Sequence, residues 1–126
     1  MTDLRNYSRQ REAILSVLRA TDTHPTANWI YSEVRKQIPN ISLGTVYRNL
    51  AALSQAGEIL TLNVGDGFDH FDGDISPHLH LHCRCCNSIT DAKLSSDPFA
   101  DAANCHGFIP ENTAYVVYGI CKNCKN

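Results

Sequence analysis

Nine consecutive positions, HLHLHCRCC at 78–86, hold three histidines and three cysteines. Metal binding and thiol redox chemistry are the two uses of such a stretch. In an extended strand His78, His80 and His82 project to one face while Leu79 and Leu81 project to the other. Imidazoles aligned in this way can grip one metal ion, but other residues must complete its shell. Cys83-x-x-Cys86 is matched by Cys121-x-x-Cys124 near the C-terminus. Two such pairs, each offering two thiolates from a tight turn, suit tetrahedral Zn²⁺. Four sulfurs leave no position for a substrate, so that site is structural. The competing reading is two buried or redox-active pairs without metal.

The histidines then need partners of another kind. Asp72, Asp74 and Asp91 offer oxygens, and His24 offers a further nitrogen. Imidazole and carboxylate donors suit Fe²⁺, Mn²⁺ or Zn²⁺ better than a soft, thiophilic ion. The whole chain must position these groups with modest means. Its 126 residues make one domain or two small ones. A half of about 60 residues buries little apolar surface and often needs a metal staple. MTDLRNYSRQ lacks the apolar core of a signal peptide, and no run reaches the roughly 18 apolar residues of a membrane span. The expectation is a cytoplasmic protein without membrane contact, where six cysteines favour metal ligation or redox sensing over disulfides.

Charge is divided. Residues 1–57 hold seven Lys/Arg against four Asp/Glu, and residues 58–126 hold four against nine, so a half at +3 faces a half at −5. All six cysteines lie in the acidic half. The basic excess is too small to establish nucleic-acid binding alone; the pattern of elements adds to it. SRQREAILSVLRA offers Ser8 as an N-cap before Ile14, Leu15, Val17 and Leu18 at helical spacing. Thr26 caps a second helix with Trp29, Ile30 and Val34 on its buried face, ending before Pro39. Ser42 caps a third, stopped at Gly57, whose stripe is Leu43, Val46, Leu50 and Leu53. EILTLNV and FDHFD then flank Gly65-Asp66-Gly67, a hairpin signal.

Three helices and a hairpin make a winged helix, in which the third helix enters the major groove and the wing touches the backbone. Outward Thr45, Tyr47, Arg48 and Asn49 can contact bases or phosphates. The plainer readings are a solvated helix face or a protein-docking module. Farther on, SITDAK (88–93) reads as a strand, DPFADAANC as a short helix, and TAYVVYGIC as a strand apolar on both faces. That last strand suits a sheet shared between two subunits, and a two-fold homodimer presents two reading heads to palindromic double-stranded DNA. The fold class is α+β: a winged-helix DNA-binding domain with hinge at 1–70, and a small α/β metal-binding dimerisation domain with a structural Cys₄ zinc site at 71–126.

In this order, HPTANWIY (24–31), SLGTVYRNL (42–50), H-x-H-x-x-C-x-x-C (78–86) and GICKNC (119–124) resemble the ferric uptake regulator (Fur) family of bacterial metal-dependent repressors. The resemblance implies structural zinc at Cys83, Cys86, Cys121 and Cys124. It implies a regulatory Fe²⁺ or Mn²⁺ held by His24, Asp72, His78, His80 and Asp91, joining the DNA-binding half to the dimerisation half. Asp at 72 and 91, where iron-sensing relatives typically carry Glu, resembles the peroxide-sensing (PerR) branch. Pro77 and Leu79 stand where iron sensors often carry an extra His and Asp. In the peroxide branch, iron-catalysed oxidation of a ligand histidine, here His24 or His78, releases metal and operator.

The family pattern is not followed throughout. The segment ahead of Ser8 is short, so the family's first helix is expected to be mostly missing. Arg48 resembles the iron-sensing recognition helix, where peroxide sensors often have Asn. That leaves the operator sequence open, and the alternative function is an iron, zinc or manganese sensor of the same family without peroxide oxidation. His82 reads as a surface imidazole rather than a ligand, and Cys85 and Cys105 as bystanders rather than sensors. A metalloenzyme built on His78, His80 and Asp91 lacks an evident acid–base group or pocket. A CxxC oxidoreductase conflicts with tightly held zinc.

Overall fold

A computed structural model of the chain describes residues 4–76, 78–110 and 115–125, with side chains from residue 8 onward. Pro77, and Thr113 and Ala114 of the expected last strand, lie outside the described residues. Two compact units are present, Met1–Ile75 and Ser76–Asn126. The boundary falls after the second strand of the wing, whose hydrogen bonds tie it to the first unit through Asp72.

The first unit runs α1 (Leu4–Arg19), α2 (Ala27–Val34), α3 (Leu43–Gln55), β1 (Leu60–Asn63) and β2 (Asp69–Asp72). Ser8 does not cap α1, which begins four residues earlier; LRNY holds no Gly or Pro to stop a helix from extending upstream. The other two caps form as expected. Thr26 accepts from the Trp29 amide, and Ser42 from the Thr45 amide at 3.1 Å. Ile14 and Leu18 of α1, Ile30 and Val34 of α2, and Val46, Leu50 and Leu53 of α3 meet in one core, closed by Ile59 and Phe71. Trp29, expected on the buried face, is 40 % exposed. Ala27 takes the buried place instead, one turn before Ile30 and two before Val34. Leu43 is only half-buried at the start of α3.

β1 and β2 form the expected antiparallel hairpin, Leu60 opposite Asp72 and Asn63 opposite Asp69. Gly65 and Gly67 turn it with φ of +85° and +88°, backbone that side chains rarely adopt. After β2, Gly73 passes so close to α1 that a Cβ would stand 3.2 Å from the Leu18 carbonyl carbon and oxygen.

The second unit holds β3 (His78–Cys83), β4 (Ile89–Lys93), α4 (Pro98–Cys105) and β5 (Tyr115–Gly119). The sheet order is β4-β3-β5, with β3 antiparallel to β4 and parallel to β5. A parallel neighbour needs a crossover, which the segment containing α4 supplies. Asp97 caps α4 and also accepts from the Tyr115 hydroxyl of β5, tying the helix start to the edge strand. Among the described residues this unit buries no aliphatic or aromatic hydrocarbon side chain; His78, His80, His82 and Cys83 are its buried groups.

The two units thus differ in what holds them. Leu50→Ala in the first should cost about 2–5 kcal/mol, as for buried leucines generally, whereas Ser42→Ala should cost about 1 kcal/mol through loss of its cap. Urea unfolding read from the single tryptophan, Trp29, measures both. A Leu50→Ala protein as stable as the parent would contradict the core described here.

Candidate metal centres and nucleic-acid interface

The Cys₄ cluster is built by two turns on the second unit. At the end of β3 the Asn87 amide donates to the Cys83 carbonyl at 2.9 Å, folding Cys83 and Cys86 toward each other. Beyond β5, the Cys124 amide donates to the Cys121 carbonyl at 3.0 Å. The parallel register places Cys83 opposite Gly119, which brings the turns together. All four sulfurs then lie within 4.8 Å of one another, and Cys86 Sγ is 3.8 Å from Cys121 Sγ. Tetrahedral zinc with Zn–S of about 2.3 Å requires sulfurs roughly 3.8 Å apart. The donor set fits the ion.

Electrostatics point the same way. The Cys121 amide donates to Cys83 Sγ at 3.3 Å; with that of Cys86 it pulls the Cys83 thiol down to about 5. Cys86 is lowered by the Ser88 hydroxyl and amide. Cys124 is pushed up to about 12 by its neighbours Cys121 and Cys86. Backbone donors favour thiolate at one corner, while crowding opposes it at another. A dication removes the conflict.

A second set of donors lies on β3 and β4. His78 Nε2 and His80 Nε2 are 2.9 Å apart, and Asp91 Oδ1 lies 3.4 Å from the first and 3.5 Å from the second. The antiparallel register sets His80 directly opposite Asp91. His78 Nδ1 donates to the Ser76 carbonyl at 2.6 Å, so its Nε2 carries the lone pair. Two imidazoles and one carboxylate converging on a point suit a divalent cation. In the first unit, His24 Nε2 lies 3.2 Å from Asp72 Oδ2, both residues buried. The Asp74 amide caps the other Asp72 oxygen at 2.9 Å, so Asp74 contributes its backbone there. Each unit therefore presents an incomplete nitrogen and oxygen set.

His82 departs from expectation. It is buried, its Nε2 2.6 Å from Asn87 Oδ1, and its ring meets Tyr118 edge-on at 5.7 Å. Alternation put it on the imidazole face, but the left-handed turn at Asn87, with φ +62°, supplies a partner that sequence spacing does not reveal. Cys85 and Cys105 are exposed.

On α3, Thr45 is half-buried and Tyr47 and Arg48 are exposed. Arg48 Nη2 donates to Thr45 Oγ1 at 2.9 Å, and Thr45 Oγ1 is 2.8 Å from Ser42 Oγ. Tyr47 shares a cleft of about 200 Å³ with the α2 N-terminus and wing residues Gly67, Phe68 and Asp69. Asn49 does not face outward. It is 3 % exposed and its Nδ2 donates to the Thr45 carbonyl at 2.9 Å. One residue before Leu50 and three after Val46, it lies on the shoulder of the buried stripe.

Comparison with known proteins decides the family. The ferric uptake regulator family model matches residues 3–113. This chain belongs to the ferric uptake regulator family. It is 34 % identical over 132 residues to the peroxide-responsive repressor PerR of Staphylococcus saprophyticus, covering all of this chain and 89 % of that one. The solved peroxide stress regulator of Campylobacter jejuni superposes with a TM-score of 0.82 at 26 % identity, over 98 % of this chain and 100 % of that one. The Helicobacter pylori ferric uptake regulator shares the fold, with a TM-score of 0.70 at 24 % identity over 94 % and 81 % of the two chains. As a Fur-family protein the chain is a metal-responsive transcriptional repressor and not an enzyme. Fur-family repressors are DNA-binding dimeric regulators. Among the described residues, no helix is long and apolar enough to cross a membrane.

The Cys₄ cluster fits a structural zinc ion, and the imidazole and carboxylate donors suit regulatory Fe²⁺ or Mn²⁺. Stripping the zinc with a strong chelator should unfold the second unit, seen as loss of β-sheet circular dichroism, while the helical signal of the first persists. Cys121→Ser should lower bound zinc well below the roughly one ion per chain of a closed Cys₄ site. A sheet that survives complete zinc removal would show that the clasp is dispensable.

Proposed function

We propose that this chain is a homodimeric, cytoplasmic repressor of a palindromic operator that senses hydrogen peroxide through bound iron. His24, Asp72, His78, His80 and Asp91 are its regulatory ligands. The observation that carries this reading is the split donor set: two buried groups in the first unit and three groups in the second, each too few to fill a divalent shell. One ion shared by both sets would fix the reading head relative to the dimer. Moving such an equilibrium from 1:99 to 99:1 needs about 5.5 kcal/mol of differential binding, within reach of several metal–ligand bonds.

Peroxide sensing is supported by the relatives, whose names describe peroxide response, and by aspartate at both carboxylate positions. When bound, Fe²⁺ supplies the redox chemistry that activates hydrogen peroxide. One peroxide oxygen enters an imidazole C–H of His24 or His78, and the other leaves as water. The oxidised ring would lose its basic nitrogen as a donor, so the set would no longer hold the ion and the chain would leave its operator. The same donors would hold Mn²⁺, which does not supply this redox chemistry.

DNA contact falls to Thr45, Tyr47 and Arg48 on α3, with the wing beside them. The buried Asn49 braces the helix rather than reading bases. Dimerisation falls to the second unit, where β5 is an edge strand and Val117, Tyr118 and Ile120 are exposed apolar residues. The second reading, a family member that senses iron without oxidation, rests on the resemblance of Arg48 to the iron-sensing recognition helix.

Gel shifts on a palindromic operator with Fe²⁺, Mn²⁺ or Zn²⁺, each with and without peroxide, separate the two. The expected result is that peroxide releases DNA only from the iron form, together with a gain of about 16 Da on a peptide containing His24 or His78. An iron-loaded protein that stays unmodified and keeps its DNA after peroxide leaves the iron-sensing reading in place. Arg48→Ala should weaken operator binding by about 1–3 kcal/mol if its guanidinium reads a base.

A further inference from the structure

His24 has φ of +54°, a left-handed backbone, and is followed by Pro25. A non-glycine residue holds that conformation only where its surroundings enforce it. Strand β2 does so within the first unit. The Phe71 amide donates to the Pro25 carbonyl at 2.9 Å. Next to it, His70 Nδ1 donates to the His24 carbonyl at 2.8 Å. The far nitrogen of the same ring, Nε2, meets Asp66 Oδ2 at 2.7 Å in the turn of the wing. His70 is buried, and neither it nor Asp66 belongs to the donor set described above.

We propose that His70 and Asp66 are positioning residues that hold the His24 backbone in its left-handed state and so aim its imidazole at the regulatory metal. This rests on the reading that His24 is a ligand. A carbonyl only accepts, so His70 must present Nδ1–H to it, and Asp66 fixes the ring from the opposite side. Outer partners of metal ligands usually grip the ligand ring; here the grip is on its main chain. Asp66 lies in the Gly65-Asp66-Gly67 turn, so the order of the wing and the placement of His24 are linked. Contacts that order the wing on DNA then strengthen metal binding, and metal ordering strengthens the wing to the same degree.

The test is Mn²⁺ titration of the full-length, zinc-loaded protein, with free Mn²⁺ read by electron paramagnetic resonance. H70N keeps a donor near the Nδ1 position and loses the reach to Asp66; H70Q keeps the reach to Asp66 and loses the donor to His24. H70N should bind Mn²⁺ within about three-fold of the parent, and H70Q about ten-fold or more weaker, the scale of outer-shell losses. D66N should fall between them. H24A should abolish tight binding. The pair has no positioning role if H70Q and D66N bind like the parent while H24A does not. Equal losses in H70N and H70Q, accompanied by equal drops in melting temperature, assign His70 to packing and also overturn it. Parent-like binding by H24A rejects the underlying ligand assignment instead.

Discussion

The second unit turns on one arrangement, four cysteine sulfurs converging where a zinc ion would close them. Among the described residues its buried groups are three imidazoles and one cysteine, so the hydrophobic term that holds the first unit is almost missing from them. The apparent binding energy of a structural Zn²⁺, about 10–16 kcal/mol, is what such a unit needs in place of a core. The clasp also decides topology. A parallel pairing between β3 and β5 closes a long loop and must overcome its entropy. The Cys121 amide on Cys83 Sγ and the Arg84 amide on the Gly119 carbonyl lock that pairing where the zinc turns meet. With β3 held on both sides, His80 stands opposite Asp91 and the second donor set exists.

A metal-built interior has a functional consequence. In an aliphatic core, two imidazoles 2.9 Å apart would be a fault to be removed. Here the pair fits a unit that a Cys₄ zinc site, rather than packing, would hold, and a divalent cation would suit their facing nitrogens. Sensing and stability are thereby assigned to different ions. The Cys₄ site is closed by four sulfurs, whereas the nitrogen and oxygen donors form weaker, exchangeable bonds. Loss of the second ion can change the protein's state without dissolving it.

Much of this was legible in the sequence because it rests on local chemistry. Thr26 and Ser42 announce their helices through hydroxyls that need no tertiary partner, and Gly65 and Gly67 announce the wing through backbone freedom. The CxxC pairs are local turns whose sulfurs have one obvious joint use. The residues that misled are those decided at a distance. Nothing around Ser8 says whether the chain before it continues as helix. Trp29 reads as part of the buried face beside Ile30, yet Ala27 is the residue that joins the core. Asn49 reads as polar and outward, but its amide satisfies the Thr45 carbonyl of its own helix, which lets an asparagine sit against the core. His82 and His70 gave no signal of their roles, since their partners Asn87 and the His24 carbonyl are known only once turns and strands have formed.

The left-handed His24 shows why such distant partners matter. A ligand on a relaxed backbone would find its metal by side-chain rotation alone, and a peroxide or chelator that removed the ion would leave the backbone unchanged. A ligand in a strained conformation is different, because the strain must be held by something that feels the same equilibrium. The β2 bonds to the carbonyls of His24 and Pro25 are that hold, and they issue from the strand that also carries Asp72. Under the proposed ligand assignment, the wing hairpin is both the arm beside α3 and the frame for His24. Any event that weakens one of these duties must be felt in the other, and a repressor requires that property of whatever carries its reading head.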